Sequence, residues 1–281
     1  MYFYSLDGKQ VTLEEFVDTY STHYFLPEKH NCAVDGEKFV IGGRAVHQSS
    51  HYAELVIKRI LTTGIQDRQD LARVLAWKIG KINHKCTEKK NAHLGDSKDD
   101  GICDSISFEY SRCWEKCECK GENVTIKAYG RNVSLDLDSL FYLINENRGI
   151  LSKTTPMEPD SIRDSMQILR ESRIKGIGTV YWITILYFMT HGECPIYDRF
   201  AMYALKAGEK RIMPDRHKKV KLQDVLLVPS KEEKKVLHIA DVDGFYKQYV
   251  ELLGETKIDY KKCRNLDRAL WVYGHSFVPY K

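Results

Sequence analysis

Residues 171–208 read ESRIKGIGTVYWITILYFMTHGECPIYDRFAMYALKAG, and this stretch carries the strongest structural signals of the chain. A polar periodic run at 160–173 predicts one helix, and the run at 179–190 predicts a second, largely apolar helix. The glycines within residues 175–178 indicate a tight turn between these helices. The sequence therefore predicts two helices joined by a tight turn, which is a helix-hairpin-helix.

The turn has the residues of a phosphate-binding element. Gly176 and Gly178 permit positive φ angles and carry no Cβ, so another backbone can come close. The amides that open the second helix point outward at the positive end of the helix dipole, where a phosphate can bind. The residues expected to hold phosphate are Lys175, Gly176, Gly178 and Thr179.

An aspartate lies at the start of the next predicted helix. Pro-Ile-Tyr at 195–197 leads into Asp198, and an apolar helix is expected to follow and to end at Gly208. Asp198 therefore falls at a position where its carboxylate can cap backbone amides. Cys194 is expected to be a buried space-filling residue rather than a nucleophile.

These features resemble the helix-hairpin-helix DNA glycosylase superfamily, in particular its 8-oxoguanine and alkyl-base glycosylase-like members. The resemblance rests on the Gly-Ile-Gly turn and on Asp198, eighteen residues after Val180, and it covers residues 171–208. In that family the hairpin grips the DNA backbone, and the aspartate at the head of the next helix serves base excision. The resemblance implies that DNA is the partner and that Asp198 is catalytic.

The family also provides an expectation about strand cutting. Its bifunctional members carry a lysine two residues past the second hairpin glycine, because an amine is needed to form a Schiff base. That position is Val180 here, and valine cannot do this chemistry. The resemblance therefore implies a monofunctional, water-using glycosylase or a lineage that has lost activity. Lys175 is expected to face phosphate.

A carboxylate suits the hydrolytic reaction. An N-glycosidic bond breaks with positive charge growing on the sugar, so a nearby carboxylate can stabilise that charge and orient or deprotonate the attacking water. Asp198 is the candidate for this role. The alternative is a plain helix cap, and the two roles are compatible.

Aromatic residues are candidates for a base pocket, since chemistry on a base in duplex DNA requires the nucleotide to be flipped out. Tyr181 and Trp182, on the second hairpin helix, could stack on such a base, and the alternative is a packed core. Trp271 and His275 are an i,i+4 pair on one face of the C-terminal helix. The alternative for His275 is a structural hydrogen bond.

Length and composition bound the fold. The chain has 281 residues, of which 43% are hydrophobic and 29% charged, so it is long enough for two lobes and is not mainly disordered. We expect a mainly α, two-lobed glycosylase-like fold with a small β-hairpin element. The N-terminal lobe is predicted at 1–150 and the helix-hairpin-helix lobe at 151–281. Helices are also predicted from residue 11 and at 50–62, 67–79, 138–147, 243–253 and 264–277, with a strand at 38–41 and a hairpin at 124–137.

Charge is uneven along the chain. The net charge is only +4, but residues 206–221 are strongly basic. A basic patch beside the proposed site suits phosphate neutralisation, so Lys218 and Lys219 are expected to contact DNA. The alternative is a solvated loop.

The segment 85–122 is expected to be a long loop. Its cysteines lack the paired spacing of common zinc sites, so free thiols are expected, with a metal site as the alternative. No cofactor is expected, although the hairpin could hold a monovalent cation. The cysteines of this loop are Cys86, Cys103, Cys113, Cys117 and Cys119.

The N-terminus shows no basic region followed by an apolar core, and the apolar run at 180–189 is too short to span a bilayer. We therefore expect a cytoplasmic monomer without a membrane partner. The function predicted first is a DNA glycosylase, a hydrolase of base excision repair that acts on DNA damage. The alternatives are a non-catalytic helix-hairpin-helix DNA-binding protein and a metal-stabilised interaction module.

Overall fold

The structure is a computed structural model. It describes residues 1–25, 28–29, 32–33, 40–41, 44–45, 51–78, 82–86, 106–110, 123–128, 131–156, 158–174, 177–213, 242–259 and 263–277.

The described part of the chain is mainly helical, which confirms the predicted class. None of its helices is long and apolar enough to cross a bilayer. The helices are α1 (Leu13–Thr22), α2 (His51–Thr63), α3 (Arg68–Lys78), α4 (Leu137–Glu146), α5 (Arg148–Leu151), α6 (Pro159–Ser172), α7 (Thr179–Met189), α8 (Arg199–Lys210), α9 (Val242–Gly254) and α10 (Arg264–Gly274), and a 3-10 turn follows at His275–Phe277.

Side chains cap the first amides of α1 and α4. Before α1, the Thr12 hydroxyl accepts from the Glu15 amide at 3.2 Å, while the Glu15 carboxylate accepts from the Thr12 amide at 2.8 Å. This reciprocal pair is a capping box. Before α4, Asp136 accepts from the Ser139 amide at 2.8 Å, so this helix begins one residue earlier than predicted.

Helix α7 lies in the core. Its predicted range is confirmed to within one residue, and it packs against α2, α3, α5 and α6. A helix that is apolar on all sides is stable in water only when its neighbours cover it. The side chains that are fully buried on α7 are Trp182, Ile183, Thr184, Ile185, Leu186 and Phe188.

The prediction that the helix after Asp198 ends at Gly208 is wrong, because this helix, α8, continues to Lys210. Gly208 is a packing position instead. A Cβ there would lie 2.6 Å from the carbonyl oxygen of Tyr2, and the Tyr2 amide donates to the Gly208 carbonyl at 3.2 Å. The missing side chain lets the N-terminal strand come close to the helix.

The last helix joins both ends of the chain. Helix α10 packs against α1, where the Tyr273 ring lies 5.0 Å from the rings of Phe16 and Tyr20. It also crosses α8, where a Cβ on Gly274 would lie 1.8 Å from the carbonyl oxygen of Phe200. The crossing therefore depends on glycine.

Residues from both predicted lobes contribute to one continuous hydrophobic core. The contact between the N-terminal helix α1 and the C-terminal helix α10 is among the most extensive helix contacts. The division into lobes at 1–150 and 151–281 stays a prediction.

A buried ionic cluster links α2, α3 and α10. The Glu54 carboxylate accepts from the Tyr24 hydroxyl and the Trp77 indole, each at 2.9 Å. It also accepts from Arg268 at 2.9 Å and pairs with Arg264 at 3.5 Å. Because these donors come from three distant parts of the sequence, the cluster fixes how these helices meet.

The described strands form antiparallel pairs. The β-hairpin predicted at 124–137 is confirmed, and its turn lies outside the described residues. The prediction of a long loop at 85–122 is wrong where strands occur, because 82–86 pairs with 106–110. The pairs are β1 (Phe3–Tyr4) with β2 (Gln10–Val11), β3 (Glu28–Lys29) with β4 (Cys32–Ala33), β5 (Val40–Ile41) with β6 (Arg44–Ala45), β7 (Ile82–Cys86) with β8 (Ile106–Tyr110), and β9 (Asn123–Ala128) with β10 (Arg131–Asp136).

Candidate functional site

Asp198 stands at the head of α8. Its Oδ1 atom accepts from the amide of Phe200 at 2.9 Å, so it is the helix cap. The segment before it is buried, and the Pro195 carbonyl accepts from the buried Tyr246 hydroxyl at 2.8 Å. Cys194 is also fully buried, as expected for a space-filling residue. A rigid approach segment therefore presents the Asp198 carboxylate.

A lysine that the sequence did not single out reaches this carboxylate. Lys78, the last residue of α3, places its Nζ atom 3.2 Å from Asp198 Oδ2. The same ammonium donates to the Tyr197 carbonyl at 2.9 Å. The Lys78 and Asp198 side chains are 10% and 21% exposed, so the ion pair is only partly open to water. A cation at the C-terminal end of a helix also fits the helix dipole.

A buried phenol completes the electrostatic surroundings of Asp198. Burial, and then the negative charge of Asp198, raise the pKa of Tyr249 on α9 well above its usual value. The Tyr249 ring also packs edge-on to Tyr197, with centroids 5.2 Å apart. Tyr249 therefore stays neutral and acts as packing beside the carboxylate.

Aromatic rings gather next to the Asp198 cap. His275 stacks on Phe200 with centroids 3.7 Å apart and planes inclined by 16°, and Trp271 lies 4.5 Å from His275. The His275 ring is held by a 2.7 Å hydrogen bond from Nδ1 to the Trp271 carbonyl. All these rings are half-buried. The structure thus brings the predicted pocket candidates Trp271 and His275 against Phe200, which sequence reasoning missed and whose amide Asp198 caps.

The other aromatic candidates lie on the hairpin helix. Trp182 is fully buried, and its indole donates to the Ser165 carbonyl at 2.9 Å. Trp182 therefore belongs to the packed core, which was the alternative prediction, and does not stack on a flipped base. Tyr181 and Val180 are partly buried against the same core.

The described half of the hairpin contains an open glycine and an unbonded hydroxyl. Gly178 precedes α7 with φ −95° and ψ 170°, and a Cβ there meets no described atom within 4 Å. Thr179 is buried, yet its hydroxyl has no hydrogen-bond partner among the described residues. Neither backbone strain nor contact with a described residue explains the glycine. Lys175 and Gly176 lie outside the described residues.

The basic patch is less uniform than expected. Lys206 is buried and pairs with Glu209 at 2.9 Å, so it is a structural residue. Arg211 is exposed and lies over the Tyr2 ring at 4.0 Å. Lys218 and Lys219 lie outside the described residues.

The metal alternative concerns cysteines that the structure mostly leaves undescribed. Cys86 ends β7, and neither Cys194 nor Cys263 forms a disulfide with a described cysteine. Among the residues that the structure describes, no group of three or more His, Cys, Asp or Glu side chains could hold a metal ion. The cysteines outside the described residues are Cys103, Cys113, Cys117 and Cys119.

Comparison with known proteins gives no match: no protein-family model matches the chain, and neither does any curated protein or solved structure. The likeness to glycosylases therefore rests on the hairpin residues and on Asp198.

Proposed function

We propose that this protein is a DNA glycosylase that hydrolyses the N-glycosidic bond of a damaged or modified base. The observation that carries the proposal is the Asp198 carboxylate, which caps α8 and is tied to Lys78 at 3.2 Å beside a half-buried aromatic cluster. We further propose that it works on DNA as a cytoplasmic monomer.

The chemistry follows from the position of the carboxylate. As the bond from the sugar to the base breaks, its electron pair leaves with the base, and positive charge grows on the sugar. Asp198 stabilises that charge and takes a proton from the attacking water, whose oxygen bonds to the sugar carbon. The departing base gains a proton. Val180 supplies no amine, so no covalent intermediate and no strand cut are part of this proposal.

The hairpin supports DNA as the substrate. A Cβ on Gly178 would meet no described atom, and Gly178 lies at the N-terminus of a buried helix, where amide groups lack intrahelical acceptors. Backbone phosphates are suited to such positions, and they position an enzyme without reading the sequence.

A panel of duplexes, each with a single oxidised or alkylated base, tests the function. We expect one of these lesions to become alkali-labile, which reports base release, while the strand stays intact without alkali. Borohydride should trap no protein–DNA adduct, because Val180 replaces the lysine of strand-cutting enzymes.

Two outcomes would change the proposal. A trapped adduct would contradict the hydrolytic mechanism, and Lys78 and Lys175 would be the first lysines to replace. Tight DNA binding without release of any base would leave a non-catalytic DNA-binding protein.

Replacement of Gly178 tests the hairpin. Gly178→Val should weaken binding to all duplexes by about tenfold, because the new side chain would fill the space that a phosphate needs. The fold should persist, since the backbone angles suit any residue and a Cβ there meets no described atom. Fluorescence anisotropy with labelled duplexes and thermal melting measure the two effects.

Gly254→Val is the matched control, because a Cβ on this exposed glycine at the end of α9 also meets no described atom. Equal affinities of Gly178→Val and the unchanged protein would remove the hairpin from the DNA interface.

A further inference from the structure

The Asp198 carboxylate is held by donors from two directions. Oδ1 accepts from the Phe200 amide at 2.9 Å within its own helix. Oδ2 accepts from Lys78 Nζ at 3.2 Å, across a contact between α3 and the start of α8. A carboxylate with both oxygens bonded has one orientation, whereas the amide alone leaves it free to tilt about Oδ1.

Lys78 is itself held in place. Its ammonium bridges consecutive residues, the Tyr197 carbonyl at 2.9 Å and the Asp198 carboxylate, and only 10% of its side chain is exposed. An exposed ion pair contributes little because both partners move and water screens them. Here the lysine stem is buried and the second acceptor belongs to the backbone, so the ammonium stays in a fixed place.

From this geometry we propose that Lys78 is a positioning residue for base excision, which orients the Asp198 carboxylate toward the reacting sugar. The inference rests on the proposed function and deepens it.

The contacts of the ammonium favour this role over that of a nucleophile. An amine that attacks a sugar carbon must direct its lone pair at that carbon. Lys78 Nζ instead lies within hydrogen-bond distance of both the Tyr197 carbonyl and the Asp198 carboxylate, which hold it against the protein. Lys78 therefore acts on the reaction through Asp198. It holds the carboxylate in the reactive orientation, so the carboxylate does not have to reorganise during the reaction.

The other titratable side chains around Asp198 and Phe200 do not take the place of Lys78. Arg199 is exposed and lies over the Phe200 ring at 4.9 Å, and His275 stacks on the same ring. Tyr249 on α9 is buried and neutral. Among the described residues, Lys78 is the cation that pairs with the Asp198 carboxylate.

The test is a double-mutant cycle in excision rate. Lys78→Met should lower kcat on the responsive lesion by about 10- to 100-fold, as expected when a reacting group is displaced by about 1 Å. KM should change by less than about twofold, because Lys78 contributes to the orientation of Asp198 rather than to DNA binding. In the Asp198→Asn background, the same replacement should lower the residual rate by less than about twofold, since the carboxylate it orients is gone.

Two variants serve as controls. Lys78→Arg keeps a charged donor and should recover part of the lost kcat, and it provides a second folded variant if Lys78→Met melts early. Lys58→Met removes an exposed lysine of α2 and should leave kcat unchanged.

The outcomes separate this inference from the function. If the unchanged protein releases no base from any lesion, the proposed function fails, and the role of Lys78 fails with it. If the unchanged protein is active and Lys78→Met keeps its kcat, only the role of Lys78 is overturned. An equal loss in both backgrounds would also overturn it, because Lys78 would then act without Asp198.

Discussion

Asp198→Asn is expected to lower base excision by about 100-fold or more, since removal of one electrostatic stabiliser of a transition state has effects of this size. Asparagine keeps the shape of aspartate but cannot stabilise the positive charge on the sugar or take a proton from water. DNA affinity should persist, because the hairpin is unchanged. Single-turnover rates on lesion duplexes and anisotropy measure the two quantities.

The stability of this variant should change little. Asparagine caps helices about as well as aspartate, and its amide oxygen can still accept from Lys78. The loss of activity would therefore not reflect unfolding, which thermal melting can check.

Asp136→Asn is the matched control, because Asp136 also caps a helix through a 2.8 Å bond to the amide three residues on. It should be near neutral for activity. If Asp198→Asn keeps its turnover, Asp198 is only a helix cap, and the non-catalytic DNA-binding protein becomes the better description.

Glu54→Gln is expected to lower the free energy of unfolding by about 3–5 kcal/mol, the usual cost when one partner of a buried ion pair is removed. Glutamine can still accept from Tyr24 and Trp77, which both donate to the same oxygen, Oε1. The change therefore keeps these two bonds while it removes the charge opposite Arg264 and the oxygen that accepts from Arg268. Urea denaturation measures the difference.

An exposed glutamate gives the control for this prediction. Glu251 pairs with Lys247 at 3.9 Å, and both side chains are more than half exposed. Glu251→Gln should change the free energy of unfolding by less than about 0.5 kcal/mol. A similarly small effect of Glu54→Gln would mean that the buried arginines do not depend on the charge of Glu54.

The same carboxylate predicts how this stability depends on pH. Burial alone would raise the pKa of Glu54, but the charges of Arg264 and Arg268 outweigh burial and lower that pKa from 4.5 to about 2. The Glu54 charge therefore contributes its full stability above pH 4.5, and this contribution is lost as the pH falls toward about 2. The difference between the unchanged protein and Glu54→Gln should shrink over that range. A difference that stays constant down to pH 3 would contradict the lowered pKa.

The local elements of the candidate site could be predicted from the sequence. The ranges of α6 and α7 are confirmed to within one residue, because apolar periodicity and flanking glycines are local signals. The position of Asp198 at a helix start is confirmed for the same reason. The strand at 106–110 was missed although its residues alternate in polarity, since its partner lies twenty or more residues earlier in the chain.

The helices, their caps and the placement of Asp198 follow from local sequence, because each depends on residues within a few positions of one another. The side chains that surround that aspartate depend instead on how distant helices pack. Lys78 contacts Asp198 across 120 positions of sequence, and Arg268 reaches Glu54 across 214. The packing of the helices also places Trp182 in the core and makes Gly208 a packing position within a helix. Such contacts depend on how whole helices pack, and a local pattern of residue types carries no information about which distant helix will cover it.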